Sequence, residues 1–171
     1  MARSTVTRTP ITRTPVTRTP VTREISRDRY AQLPRHPLIL CASLVHSSVN
    51  LGGLCRTAEA FRLEALVLPN LAIAQTPAFR NLAASSHHWQ PLLACPPQDL
   101  DRWLTQQQQA GYSLIALESS PDAIPLTEFA FPQQTVLVLG QELTGIPPAI
   151  SQRCDRSISI PQYGLVESFN V

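Results

Sequence analysis

From Pro37 onward the chain alternates short apolar runs with segments of helical spacing, the pattern produced by parallel strands joined by crossover helices. Leu38–Val45 reads as a buried strand, followed by a Ser/Asn/Gly-rich turn and a helix from about Gly53 to Arg62. Ala65–Pro69 reads as the next strand, Ala78–Ser85 as a short helix and Pro91–Ala94 as a short strand behind Trp89. The clearest helix comes next. Leu100, Trp103, Leu104 and Ala110 fall near one face, Pro96 and Pro97 sit at its start, and Gly111 is placed to end it. Ser113–Leu117, Thr135–Leu139 and Ser157–Ile160 are further β-rich runs, which makes at least five candidate strands. The expected fold is α/β, a mostly parallel sheet with helices on both faces. Ligands of open α/β sheets gather at the carboxyl ends of strands, so the loops after Val45, Leu117, Leu139 and Ile160 are where chemistry is expected.

The first 35 residues break this pattern. From Val6 to Val21 the unit Thr-Arg-Thr-Pro-Val/Ile repeats every five residues, and its prolines block both a continuous helix and ladder pairing. Residues 1–35 are therefore expected to form an unstructured tail and residues 36–171 one compact domain, with 43% hydrophobic residues overall to supply its core. The net charge of +2 hides a split: the tail carries eight arginines and two acids, the body six arginines and ten acids. Four readings of the tail stay open: an arm contacting RNA phosphates, a solvated tail, a transit-like leader, or a start placed too far upstream. All basic residues are arginine and none is lysine, which fits bidentate phosphate contacts and fits a genomic composition bias equally.

Cys41, Cys55, Cys95 and Cys154 are widely spaced with no C-x-x-C pair, so neither a zinc cluster nor a redox motif is indicated. A reduced, cytoplasmic setting suits them. No apolar run approaches the roughly 18 residues of a membrane span. The chain lacks G-x-G-x-x-G after its first strand, G-x-x-x-x-G-K-[ST] and G-x-S-x-G, which argues against Rossmann, P-loop and serine-hydrolase readings. His87 and His88 have no metal-spaced partner and read as surface or packing residues.

Three segments at strand ends hold the remaining chemistry. The first is Asn50-Leu51-Gly52-Gly53-Leu54-Cys55-Arg56-Thr57. On a helical wheel Arg56 lies about 200° from Leu54 and so points away from the apolar face, while the glycines suit a sharp turn. A helix cap with a solvated arginine is the alternative. The second is Leu139-Gly140-Gln141-Glu142-Leu143-Thr144-Gly145-Ile146-Pro147, a glycine-flanked loop with one carboxylate. The third runs from Ile158 through Pro161 to Ser168-Phe169-Asn170-Val171; by itself it is a turn with polar caps.

Together and in this order the three segments resemble the motifs of the TrmH-like branch of SPOUT RNA methyltransferases, over residues from about Pro37 to the last. The run Asn50 to Thr57, with Trp89-Gln90-Pro91-Leu92 downstream, is most similar to the methyltransferase domain of the TAR-RNA-binding-protein type of tRNA guanosine-18 2'-O-methyltransferase. The resemblance implies a deep trefoil knot near the carboxyl end, S-adenosyl-L-methionine (AdoMet) held bent by loops of that knot, and a homodimer that completes the active site. It implies transfer of a methyl group to a ribose 2'-hydroxyl of RNA, with a guanosine in the tRNA D-loop as target. Leu117, Gly140, Ile160 and Phe169 match the cofactor-contacting positions, with Phe169 where leucine is usual.

Asn50, Arg56, Glu142, Ser168 and Asn170 match the polar active-site positions. The resemblance assigns Arg56 to activating the hydroxyl. A guanidinium with a pKa above ~12 rarely releases its proton, so stabilising the developing alkoxide and gripping the neighbouring phosphate is the expected role. Asn50 is expected to fix Arg56 and the ribose, Glu142 to orient the loop or an RNA group, and Ser168 with Asn170 to shape the pocket. No metal is implied. Relatives continue beyond this point into an apolar helix that finishes the knot, so the expectation is a C-terminally truncated domain with weakened AdoMet binding. Two alternatives remain: a non-catalytic RNA-binding or dimerisation module of the same fold, and an rRNA 2'-O-methyltransferase.

Overall fold

The structure is a computed structural model in which residues 26–163 are described. The chain divides into two units, Met1–Leu33 and Pro34–Val171. In the first, Arg27–Gln32 forms a one-and-a-half-turn helix, α1, which corrects the expectation of an unstructured segment running to residue 35. Ser26 caps it, its Oγ accepting from the Arg29 N–H, and Asp28 places a carboxylate in the positive first turn. The Thr-Arg-Thr-Pro repeats lie outside the described residues.

The second unit holds a seven-stranded sheet in the order β3-β2-β1-β6-β4-β7-β5. Its strands are β1 (His36–Cys41), β2 (Leu63–Leu68), β3 (Leu92–Ala94), β4 (Ser113–Leu117), β5 (Ile124–Pro125), β6 (Thr135–Leu139) and β7 (Arg156–Ser159). Every pairing is parallel. The expected α/β architecture is therefore present, and β4 and β6 coincide with the runs that sequence pattern marks.

Helices cover both faces, as a parallel sheet requires. On one side pack α2 (Ser48–Ala60) and α3 (Pro77–Ala83), on the other α4 (Leu100–Gln109) and α5 (Pro148–Ser151). Alternation along the strands feeds two cores. Ile39, Cys41, Ala65, Val67, Val136 and Val138 pack with Leu100 and Leu104 of α4, while Leu40, Leu66, Leu68 and Leu139 pack with Leu51, Cys55, Phe79 and Ala83 of α2 and α3. Trp103 borders the first core, as its helical spacing implies.

Two boundaries and two short elements differ from expectation for identifiable reasons. Strand β1 ends at Cys41 instead of Val45 because Ala42–Val45 is a buried connection, apolar without being strand. Helix α2 begins at Ser48 instead of Gly53, with Ser47 Oγ accepting from the Asn50 N–H at 3.3 Å. Gly52 and Gly53 thus lie inside a helix and make no turn. A Cβ at Gly52 would stand 2.4 Å from the Phe79 carbonyl oxygen, so this glycine lets α2 and α3 approach backbone to backbone. Finally, β5 and α5 are additional short elements with no periodicity long enough to announce them.

Candidate active site

Strands β4, β6 and β7 are adjacent, and their carboxyl ends open into one cavity of about 400 Å³, a size suited to a small-molecule ligand. Leu117 and Glu118 leave β4, Leu139 and Gly140 leave β6, and Ser159 and Ile160 leave β7. In-register pairing of Leu117 with Leu139 and with Ile158 sets these ends level. Three of the four residues matched to cofactor contacts, Leu117, Gly140 and Ile160, line this cavity. Phe169 lies outside the described residues, as do Ser168 and Asn170 and the segment on which the expected knot falls.

The wall after β6 is a tight loop. The Gln141 N–H donates to the Gly145 carbonyl at 2.9 Å and the Gly145 N–H returns a bond to the Gln141 carbonyl at 3.0 Å. Gly145 has φ +68°, and a Cβ on Gly140 would stand 2.4 Å from the Gly145 carbonyl carbon. Both glycines are therefore dictated by the loop folding back on its own strand end. At its tip Leu143 is fully exposed. Glu142 is tethered: the buried Asn50 Nδ2, in the first turn of α2, donates to its Oε1 at 3.0 Å.

Arg56 is placed differently. It is exposed on α2, outside the cavity lining, and has no hydrogen bond or ion pair among the described residues. Six residues from Asn50, it stands about 9 Å further along the axis and about 120° around it. Among the described residues no bond joins Asn50, expected to fix Arg56, to that arginine; the Asn50 Nδ2 donates to Glu142. Arg35, assigned above to the tail, is another correction. It is a partly buried clamp whose guanidinium donates to Glu59 Oε2 at 3.0 Å, to the Trp89 carbonyl at 2.6 Å, to the Leu63 carbonyl at 3.1 Å and to Gln90 Oε1 at 3.2 Å. This anchors the end of α2 to β2 and to the approach of β3.

Glu118 escaped the reading of the sequence, although a carboxylate one residue beyond a strand end was the available signal. Its Oε1 accepts from Ser151 Oγ at 2.8 Å and from Ser157 Oγ at 2.6 Å. Nearby Cys154 has its thiol pKa pushed up to about 12 by burial and by the Glu118 and Asp155 carboxylates. His87 packs edge-on to Phe79 and lies against His88, with ring centroids 6.4 and 4.1 Å apart respectively; burial holds its pKa below the ordinary value, with His88 and Arg80 adding to the effect. That is a packing role. Among the described residues no cluster of three or more His, Cys, Asp or Glu is placed to hold a metal ion, and no helix is long and apolar enough to cross a membrane.

Among the described residues, the donor set of the cavity combines backbone groups at three strand ends, hydroxyls of Ser119, Thr144 and Ser159, the carboxylates Glu118 and Glu142, and no lysine, arginine or histidine. Such a wall suits a nucleoside bearing hydroxyls and positive charge, and AdoMet is one. Fold and cavity together define a parallel α/β domain with a ligand site at adjoining strand ends. The chain belongs to the SpoU rRNA methylase family, whose profile matches residues 37–171. It is 37% identical over 147 residues to the tRNA (guanosine(18)-2'-O)-methyltransferase TARBP1 of Mus musculus, covering 85% of this chain and 9% of that protein. It is 30% identical over 138 residues to the tRNA (guanosine(18)-2'-O)-methyltransferase of Saccharomyces cerevisiae, covering 80% and 10%. The chain thus spans about a tenth of the length of these two curated relatives. Among solved structures, the TrmH/SpoU tRNA modifying enzyme of Aquifex aeolicus superposes with a TM-score of 0.71 at 25% identity, covering 83% of this chain and 71% of that one. The SpoU methyltransferase AviRb of Streptomyces viridochromogenes, in complex with the cofactor AdoMet, shares the fold with a TM-score of 0.64 at 24% identity over 85% of this chain and 56% of its own.

Proposed function

We propose that this domain is an AdoMet-dependent RNA ribose 2'-O-methyltransferase acting on tRNA, with a D-loop guanosine as target. The observation that carries the reading is the convergence of Leu117, Gly140 and Ile160 on one cavity with Glu142 in its wall. Bound AdoMet supplies an electrophilic methyl group on a sulfonium. Backbone groups at the three strand ends would hold it, with the Gly140–Ile146 loop forming one wall. Asn50 sets the position of Glu142, which orients the loop against the incoming ribose. Ser168, Phe169 and Asn170 belong to the same site by motif.

Arg56 stabilises the alkoxide that develops as the 2'-hydroxyl attacks, and grips the adjacent phosphate. Its exposure and the lack of a partner for it among the described residues favour an active site completed by a second copy, hence a homodimer. Exposed Val49 and Phe61 on or beside α2 offer apolar surface for that pairing. The arginine-rich tail adds phosphate contacts to those of the mildly acidic body. Four free cysteines suit a reduced, cytoplasmic setting.

The test is AdoMet-dependent tritium transfer into unmodified tRNA and rRNA transcripts. Incorporation into tRNA supports the reading, and incorporation into rRNA alone moves the substrate. Retained tRNA binding without any transfer replaces the enzyme with a binding module. An Arg56→Ala protein with full activity removes Arg56 from the chemistry.

A further inference from the structure

We propose that Glu118 is the charge-reading residue of the cofactor cavity, distinguishing the cationic methyl donor from the neutral thioether left after transfer. The proposal rests on the AdoMet reading above. Glu118 stands one residue beyond β4, where its N–H donates to the Ile158 carbonyl at 3.0 Å. Its Oε1 takes two hydroxyl donors, Ser151 from α5 and Ser157 from β7. One carboxylate oxygen is thereby fixed against two elements. The other has no partner among the described residues, and Glu118 lines the cavity.

Two features make this carboxylate electrostatically effective. It is half-buried, whereas Glu142, the other acid among the described lining residues, is exposed and screened by solvent. The arginines on the neighbouring elements do not neutralise it. Arg153 is paired with Asp101 at 3.0 Å and bonded to Thr105 at 2.6 Å, and Arg156 is exposed to solvent with its guanidinium turned to the Asp155 carbonyl at 2.6 Å. AdoMet carries a sulfonium, an ammonium and a carboxylate, one net positive charge; S-adenosyl-L-homocysteine (AdoHcy) has lost the sulfonium charge and is net neutral. An unneutralised carboxylate in the wall therefore stabilises the donor more than the product, and this difference favours exchange after each turnover.

The test measures the affinity of the full chain for AdoMet, AdoHcy and sinefungin, whose amine replaces the methyl sulfonium with another positive charge. Glu118→Gln keeps an oxygen to accept from Ser151 and Ser157 but removes the charge. It is expected to weaken AdoMet and sinefungin roughly three- to tenfold, the effect of one partly screened charge, to change AdoHcy by less than about twofold, and to leave Tm unchanged. Glu118→Asp is expected to keep the discrimination. In the wild-type chain, added salt is expected to weaken AdoMet more than AdoHcy, a comparison that needs no variant to fold. Equal losses for all three ligands in Glu118→Gln, or equal salt slopes, overturn the proposal and leave the cofactor reading standing. Failure of the wild-type chain to bind any of the three overturns both.

Discussion

Asn50 Nδ2 and Glu142 Oε1 meet at 3.0 Å although 92 residues separate them along the chain. One is buried in the first turn of α2, the other exposed on the loop after β6, so this single bond ties the helix start to the cavity wall. Replacing Asn50 by Asp sets two carboxylates against each other. Asn50→Asp is expected to lower stability in urea unfolding by about 1 kcal/mol, the scale of one hydrogen bond to a partly exposed charge. The double variant Asn50→Asp/Glu142→Gln rebuilds a donor and an acceptor with the charge exchanged and should recover most of that loss. Equal stabilities for the single and double variants would show the tether to be energetically idle.

Arg35 serves four acceptors from within the domain edge, with side-chain exposures of 17% for Arg35 and 10% for Glu59. Removing either charge strands the other in a dry setting, so Arg35→Ala and Glu59→Ala should each cost about 2–4 kcal/mol. Arg35→Lys should not rescue, because a point charge cannot span the fork of acceptors. Thermal unfolding of the three variants decides it, and a lysine protein of wild-type Tm would contradict the account.

Glycines 52, 53 and 140 should respond to alanine in three different ways. A Cβ at Gly52 meets the Phe79 carbonyl oxygen at 2.4 Å, so Gly52→Ala forces α2 and α3 apart and costs about 1–3 kcal/mol of stability. Gly53 has open space around it, and Gly53→Ala should raise stability by about 0.5–1 kcal/mol through helix propensity. Gly140→Ala collides with the Gly145 backbone and displaces the loop; its main effect should be on AdoMet affinity in a binding titration, exceeding its effect on Tm.

Alkaline pH should unfold the domain earlier than its core size suggests. Burial, with smaller contributions from neighbouring groups, raises Cys41 and Cys154 from an ordinary thiol value of 9.0 to about 12. Burial and the Glu64 carboxylate, which accepts from the Tyr112 hydroxyl at 2.5 Å, raise Tyr112 from 10.0 to about 12. Each group keeps its proton in the fold after the unfolded chain has lost it. Their stabilising contribution is complete below pH 9.0 for the thiols and 10.0 for the phenol and is lost as pH climbs toward 12. Urea midpoints across pH 8 to 11 should fall, and Tyr112→Phe should flatten the upper part of that fall. At pH 8 both thiols should also react slowly with disulfide reagents.

The long periodic segments were legible because burial on both faces of a parallel sheet leaves uninterrupted apolar runs, as at β4 and β6. Helix α2 was misplaced because Gly52 and Gly53 carry turn chemistry in isolation; only the approach of Phe79 explains a glycine in mid-helix. The strand ends that line the cavity are legible because ligands of open parallel sheets gather where strands end, whereas Glu118 is not, because its significance lies in Ser151 and Ser157, 33 and 39 residues away. Arg35 looked like one more charge of a basic tail for the same reason. Its partners Glu59, Trp89 and Gln90 are brought to it by tertiary structure alone.

The placement of β6 between β1 and β4 has a consequence for the order in which this molecule is assembled. Strands β1, β2 and β3 are neighbours both in sequence and in the sheet and can pair as soon as they leave the ribosome. Strand β4 cannot join them, because the berth beside β1 belongs to a strand not yet synthesised. Until β6 arrives, the edges of β1 and β4 are open, and contacts of such long sequence separation form slowly. The central strand is thus a late keystone, and the cavity bounded by β4, β6 and β7 is among the last parts of the domain to exist. A nascent chain can acquire half a sheet, but no ligand can reward it until that keystone is set.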